Sequence, residues 1–482
     1  MALCRSAIAS RWKGRACFSS RSNESSLAEF GKAHVCPGIG RLTDHVVHKG
    51  DGSWLETVDG KRLLDFTSGI GVCNVGHCHP HVTEAICRQT GALVHGQVNV
   101  MFHNPMLQLI ARLRTVVPSG LDSFFFWNSG AEAVEAAMKV ARLYTKKQNI
   151  IVLQGGYHGR TFGSMSLTTS KTVYRAGFGP LVAGVFTMPY PYVRQICPFS
   201  PTTDPSKVAS VSSPRFSSNP LSEYSLLHLE MILKQQSAPS ETAAVIVEPV
   251  LGEGGYVAPP ADFLKKLHEL CNAHGILLIA DEVQSGFGRT GKMFAVEHFG
   301  VTPDILIMAK GLANGMPLSA IAARPEIMAA CPPGSMGGTY AGNAVACAAA
   351  MAVLDVFEKQ NVLQNVSSRG EQLQEGLRAI QRKYPGVIRD VRGLGLMVSQ
   401  LGLGLMVSQL GLGLMVGVEF EEGGRLAGIA GRVSRGAVNR EVLLLTCSAF
   451  EVIRFIPPLT VSSSEIDRAL EVFEEAVAEA LS

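Results

Sequence analysis

Five short stretches carry residue types that could act on one reactive centre. Lys310, in Asp304–Gly311 (DILIMAKG), comes just after an apolar run and before a glycine-containing loop. A lysine partly withdrawn from water has a depressed pKa and a nucleophilic amine, which a Schiff base needs. Asp281, in Ile276–Gln284 (ILLIADEVQ), ends a run too apolar to keep a bare charge without a partner, and a cationic ring nitrogen would supply one. Asn128–Ala131 (NSGA) joins an aromatic stretch to a helical pattern. A helix start offers free N–H groups and a positive dipole end, and Gly130 lets the backbone come close to an anion such as a phosphate. In Gly155–Thr161 (GGYHGRT), Tyr157 could stack on a flat ring and Arg160 could fork onto a carboxylate. Glu248–Gly255 (EPVLGEGG) sets two acids, Glu248 and Glu253, in a rigid Pro/Gly loop.

Each stretch has a plainer reading. Ser129 could be an ordinary N-cap, Asp281 likewise, the two acids solvated turn residues, and Lys310 a surface lysine. Together they supply a phosphate cradle, an aromatic stacker, an acid for a ring nitrogen and an imine lysine. These are the parts that a pyridoxal phosphate site requires. The cluster Cys73, His77, Cys78, His79 and His81 invites a zinc reading. No second Cys pair follows at zinc-ribbon spacing, so no metal is expected.

Strand-like and helix-like stretches alternate along the chain and carry these residues. Ser123–Trp127, Asn149–Leu153, Ala243–Val247, Ile276–Ala280 and Ile305–Met308 read as strands, and Val82–Thr90, Ala131–Tyr144 and Ala261–His274 as helices. Runs that are apolar on both faces suit a parallel sheet covered on both sides. The βαβ rhythm predicts an α/β fold, with active groups beyond the carboxyl ends of the strands. Residues 196–224, rich in Ser and Pro, read as a surface loop. The expected division is a segment 24–80 belonging to a small lobe, a large domain 81–355, and a C-terminal small domain 356–482.

The chain has 482 residues, 46% hydrophobic and 17% charged, with a formal net charge of +3. A packed interior follows, and no concentrated basic face argues for nucleic acid. The 11 cysteines lack framework spacing and suit free thiols in a reducing compartment. Residues 1–23 hold Arg5, Arg11, Lys13, Arg15 and Arg21 and no acid, which predicts a mitochondrial transit peptide and a matrix location. GLGLMVSQL stands at 393–401 and again at 402–410, and a third copy begins at Gly411 and turns into GVEF. The uncharged run 393–418 is glycine-rich and lacks flanking aromatic anchors, so it is not read as a membrane span. Such a repeat threatens the register and folding of the small lobe.

On these motifs the chain resembles the class III (ω-amino acid) aminotransferases, of the fold-type I pyridoxal phosphate enzymes. The stretches that carry the likeness are NSGAEAVEAAMKVAR (128–142), YHGRT (157–161), EPVLGEGG (248–255), DEVQSGFGRTG (281–291), DILIMAKGLANGMPLSA (304–320) and GGTYAGNAVACAAA (337–350). The likeness runs from about residue 35 to 475. PPGSMGGTYAGNAVACAAA and LLLTCSAFEVIRFIPPL favour the subgroup acting on 4-aminobutyrate. The resemblance implies that Lys310 is the Schiff-base lysine and moves the proton. It implies that Asp281 pairs with the pyridinium nitrogen, Tyr157 stacks on the ring with His158 beside it, and Gly130 and Ala131 bind the phosphate. Val283, Gln284 and Glu248 line the cofactor pocket. Thr339 serves the phosphate of a neighbouring subunit, hence a homodimer with shared sites, alone or within a tetramer. Arg160 holds the far carboxylate of 4-aminobutyrate and Arg454 the α-carboxylate of 2-oxoglutarate, with Glu253 pairing Arg454 in between. Ile70 lines the substrate side. The implied reaction is ping-pong through pyridoxamine phosphate, giving succinate semialdehyde and glutamate. The close alternative is an acetylornithine or ornithine aminotransferase, which would share almost every cofactor residue, and a further one is a β-alanine or alanine–glyoxylate aminotransferase. Leu251 stands where many relatives have Gln, and relatives carry one copy of GLGLMV.

Overall fold

The computed structural model describes residues 24–196, 219–393 and 413–482. Among these residues the strands form three sheets. The first is built from β1 (Val47–Asp51), β2 (Trp54–Thr57) and β3 (Arg62–Asp65). The central sheet holds β4 (Ser123–Trp127), β5 (Asn149–Leu153), β6 (Val185–Met188), β7 (Thr242–Val247), β8 (Leu277–Asp281), β9 (Ile305–Met308) and β10 (Ser319–Ala323). The third contains β11 (Ile388–Gly393), β12 (Val416–Phe420), β14 (Leu445–Cys447) and β15 (Val452–Phe455). The remaining strand, β13 (Val442–Leu443), pairs in parallel with β3, so the early segment and the C-terminal region share a sheet.

The central order is β4-β10-β9-β8-β7-β5-β6. The pairs β6–β5, β5–β7, β7–β8 and β8–β9 are parallel, and β10 runs antiparallel between β9 and β4. Alternate residues of each strand therefore enter two different cores. Ile150, Val152, Ile246, Ile279 and Ile307 meet Ala133, Val134, Ala137 and Val140 of the helix Gly130–Thr145 on one face. Ile151, Leu153, Val245, Val247 and Leu278 meet the helices Pro220–Gln235 and Phe263–Ala273 on the other. Burying each such aliphatic side chain contributes roughly 1.5–3 kcal/mol, which explains strands apolar on both faces. The expected α/β architecture is thus observed.

One expectation is corrected at its edge. The loop read over 196–224 ends sooner, because a helix starts at Pro220 with the Asn219 side chain accepting from Leu221 N. Proline at the first helical position behind an asparagine cap is a start signal that the surrounding Ser/Pro composition masked. The stretch 197–218 lies outside the described residues, as do 1–23 and most of the nine-residue repeat.

On both sides of the repeat the strands pair in register: Gly393 with Val416, Arg392 with Gly417, Val391 with Val418. Leu414, Met415 and Val416, from the third copy, are fully buried. The third sheet thus pairs β11 with β12 directly across the repeat. Among the described residues no helix is long and apolar enough to cross a membrane.

Candidate active site

Strands β4, β5, β7, β8 and β9 run in one direction, so their carboxyl ends share one edge of the sheet. The segments that follow them carry Asn128–Ala131, Gly155–Arg160, Glu248, Asp281–Gln284 and Lys310. A cavity of about 480 Å³ opens there, and Gly130, Ala131, Tyr157, His158, Arg160, Glu248, Asp281, Val283, Gln284 and Lys310 all line it. Val72, Met316, Pro317 and Leu318 line it too, and the sequence reading missed them. Val72 lies two residues beyond the expected Ile70, which is exposed and outside the lining at a left-handed φ of 64°.

At one end of the cavity Ser129 caps the helix Gly130–Thr145 through a capping box with Glu132. Glu132 takes the N–H groups of Asn128 and Ser129, while Gly130 N and Ala131 N find no acceptor among the described residues. A Cβ on Gly130 would stand 2.9 Å from Val283 Cγ1, so the glycine keeps the backbone open to an anion. Ser129 is thus an N-cap, as the plainer reading held, and its helix still presents two free donors to the cavity.

At the other end Asp281 is buried, its Oδ2 2.7 Å from His158 Nδ1, while its Oδ1 accepts from Val283 N. Burial alone would lower the His158 pKa, but the hydrogen bond and charge of Asp281 outweigh it and raise it. Glu248 is buried and its pKa is pushed up to about 7 by burial, although it accepts from Tyr157 N and Gly252 N at 2.7 and 2.8 Å. Lys310, half-buried, has its pKa lowered to about 8, by burial first and then by the nearby charge of Arg454. Its φ of 45° is a strained conformation for a lysine, of the kind that persists where function over-determines it.

The charged rim is built differently. Arg160 donates from Nε to Tyr157 Oη at 3.0 Å and lies 4.4 Å from the Tyr174 ring centre. No carboxylate pairs with it among the described residues. Arg454 on β15 donates to Glu253 Oε2 at 2.9 Å, and both are buried. Glu253 also receives Lys171 Nζ and Tyr174 Oη, each at 2.8 Å on Oε1. Neither stands out in the sequence, because a lysine and a tyrosine in a polar turn look solvated. Leu251 is buried and pairs across the loop with Val257, so its side chain packs into the core. Thr339 is exposed and outside the cavity of its own chain.

His77, His79 and His81 are engaged by Asp65, Gln360 and Asp355 respectively. No cluster among the described residues is arranged to hold a metal ion.

The residues fit pyridoxal phosphate: two free N–H donors at a helix start for the phosphate, an aromatic face, a buried carboxylate for the ring nitrogen, and an amine of lowered pKa. The profile of the family described as Aminotransferase class-III matches residues 40–401. The 5-aminovalerate aminotransferase DavT of Pseudomonas putida is 38% identical over 95% of this chain and 99% of its own length. The 4-aminobutyrate aminotransferase GabT of Escherichia coli is 36% identical over 92% and 96%. A crystal structure of a transaminase from the marine bacterium Virgibacillus superposes with a TM-score of 0.81 at 26% identity, covering 95% and 99%.

Proposed function

The chain belongs to the class-III aminotransferases, and we propose that it moves the amine of 4-aminobutyrate to 2-oxoglutarate, giving succinate semialdehyde and glutamate in two half-reactions. Enzymes of this family use pyridoxal phosphate. When bound, that group supplies an electrophilic carbonyl for an amine and a cationic ring that accepts an electron pair. Gly130 and Ala131 hold the phosphate by N–H groups, and Tyr157 supports the ring. Asp281, backed by His158, keeps a proton on the ring nitrogen. Lys310 would provide the amine that links to the group's carbonyl. With a pKa near 8, its Nζ can both take and return a proton close to neutral pH.

The observation that carries the substrate reading is the Glu253–Arg454 pair beside an Arg160 that lacks a carboxylate partner among the described residues. A donor with one distant carboxylate needs only Arg160. An α-keto diacid needs a second cation, and Arg454 becomes available once Glu253 lets it go. One pocket can then serve both half-reactions.

The proposal extends to a homodimer. Val94, Val100, Met101, Phe102 and Tyr340 are exposed on segments tied together by Asn343 Nδ2 donating to Val94 O. Exposed Thr339 lies on the same surface, suited to a neighbour's phosphate. Sedimentation at micromolar concentration should give a dimer; a monomer would refute this. A mitochondrial matrix location is proposed on the basic, acid-free composition of residues 1–23. Import of a fluorescent fusion into isolated mitochondria, with loss of the leader, tests it.

For the reaction, the visible absorbance of the cofactor-loaded protein is recorded before and after adding 4-aminobutyrate, 5-aminovalerate, ornithine, N-acetylornithine and β-alanine. The band should collapse fastest with 4-aminobutyrate. Collapse only with ornithine or its acetyl derivative would overturn the substrate assignment. The band should be absent in Lys310→Ala, whose turnover should fall at least about a thousandfold.

A further inference from the structure

The backbone of the loop around Glu253 is fixed by the small lobe. Ser448 N donates to Glu253 O at 2.6 Å, Ser448 Oγ to Gly254 O at 3.0 Å, and Arg392 Nε to Gly255 O at 2.9 Å. Any exchange at this position must therefore be made by the Glu253 side chain. Its two oxygens have separate holders: Arg454 on Oε2, Lys171 and Tyr174 on Oε1. Arg454 in turn is only half used, since its buried Nε meets no acceptor among the described residues. A buried guanidinium with an idle donor is prepared for a further oxygen acceptor, and a forked carboxylate provides two.

Releasing a buried carboxylate from its arginine is costly when nothing else satisfies it. Here Oε1 keeps an ammonium and a hydroxyl when Oε2 is given up. Lys171 precedes and Tyr174 ends the 3₁₀ turn Thr172–Tyr174, and their spacing of three residues puts both side chains on the same side of it. The Tyr174 ring also lies against Arg160 and edge-on to Tyr157, at centroid distances of 4.4 and 5.3 Å. Burial would push the Glu253 carboxyl up, but Arg454 and Lys171 outweigh it and hold it below the ordinary glutamate value.

We propose that Lys171 and Tyr174 are positioning residues for a two-position latch: they hold Glu253 when Arg454 is handed to an α-carboxylate, and so set how readily the site accepts a 2-oxo acid after an ω-amine. This rests on the carboxylate roles proposed above for Arg454 and Glu253. Neither residue touches the reacting atoms in this scheme, so their effect should fall on one substrate and not the other.

The test uses the full-length holoenzyme with Lys171→Met, Lys171→Arg and Tyr174→Phe, alone and in a Glu253→Ala background. The KM for 2-oxoglutarate should rise about tenfold in Lys171→Met, equivalent to about 1.4 kcal/mol. It should rise about threefold in Tyr174→Phe, and recover in large part in Lys171→Arg, which keeps the charge. The KM for 4-aminobutyrate should change less than about twofold, because that donor leaves the pair closed. In Glu253→Ala the further change to Met should have no effect, since there is no latch left to hold. The dissociation constant of glutarate, measured by calorimetry, should follow the same pattern without any turnover. Equal changes for both substrates, no change, or an effect of Lys171→Met that persists without Glu253 would each overturn the latch. A wild type that turns over no ω-amine would refute the proposed reaction, while the glutarate measurements would still judge the latch.

Discussion

The floor and the rim of the active-site cavity hold charge in opposite ways. On the floor both carboxylates have fixed internal partners: Asp281 has His158, and Glu248 has two backbone N–H groups. These groups sit at the ends of buried strands and cannot move without disturbing the sheet. On the rim the charges come from loops and from the small lobe, and Arg454 gives only part of its fork to Glu253. Proton and electron-pair chemistry needs charges that stay in place. Alternation between two substrates needs charges that can change partner. The same enzyme separates these requirements by element type: strand ends for the first, loop and small-lobe side chains for the second.

Breaking the floor should have the largest effect. Asp281→Asn should lower the rate of both half-reactions by roughly a hundredfold or more, on the scale of losing a preorganised charge at a reacting centre. Stopped-flow absorbance with each substrate measures it, and an effect on one half-reaction alone would contradict a shared floor. Rim changes should be smaller and one-sided. Arg454→Met should raise the KM for 2-oxoglutarate by about thirtyfold or more, within the roughly 2–5 kcal/mol expected for truncating a buried charge pair. Arg160→Met should act mainly on 4-aminobutyrate. If both variants hit both substrates equally, the division between the two cations is wrong.

A titration sharpens the floor further. Only the neutral amine of Lys310 attacks, so capture of pyridoxal phosphate by the apoprotein should be full above a pH of about 8 and fall tenfold per unit below it. An ordinary lysine would show its midpoint near 10.5. The charge of Asp281 raises the Lys310 pKa, so Asp281→Asn should move the midpoint lower still. Borohydride trapping followed by mass spectrometry reads the captured fraction across pH.

The smallest effect is expected far from both regions. Deleting residues 394–411 restores a single GLGLMV copy between Gly393 and Val416, which already face each other across β11 and β12. Rates should stay within about twofold. Stability should rise by about 1–2 kcal/mol, from shortening the connection through some two to three halvings of its length. Thermal unfolding checks this, and a loss of activity would mean that the repeat serves the site.

The floor was legible in the sequence because chain order and physics coincide there. A buried parallel strand must be apolar, so a lone Asp281, Glu248 or Lys310 just past its end stands out. Strands β4, β5 and β9 carry enough aromatic or β-branched residues to be bounded correctly. Strand β10, Ser-Ala-Ile-Ala-Ala, has mostly small side chains because the helix Gly130–Thr145 packs on it, and it reads as neither strand nor helix. The first sheet was missed because its outer strand Val47–Asp51 is largely exposed and polar. Lys171 and Tyr174 gave no signal because their meaning depends on Glu253, about 80 residues away in sequence, being folded back onto them. A contact between distant turns leaves no periodicity to read.

Arg289 adds an order of assembly. Its guanidinium is fully buried, with burial pushing its pKa down to about 10, and donates to Leu414 O, Pro457 O and Asn74 Oδ1. It sits in the loop that leaves Asp281 and Gln284, yet all three acceptors belong to segments far away in the chain. Until those segments have arrived, this loop contains a cation that cannot be enclosed without its acceptors. A chain still emerging from the ribosome, ending before residue 414, therefore cannot close the wall of its own cavity. Cofactor capture should therefore follow completion of the C-terminal strands, and ribosome-stalled chains should stay protease-sensitive after Asp281 until Pro457 is released from the exit tunnel.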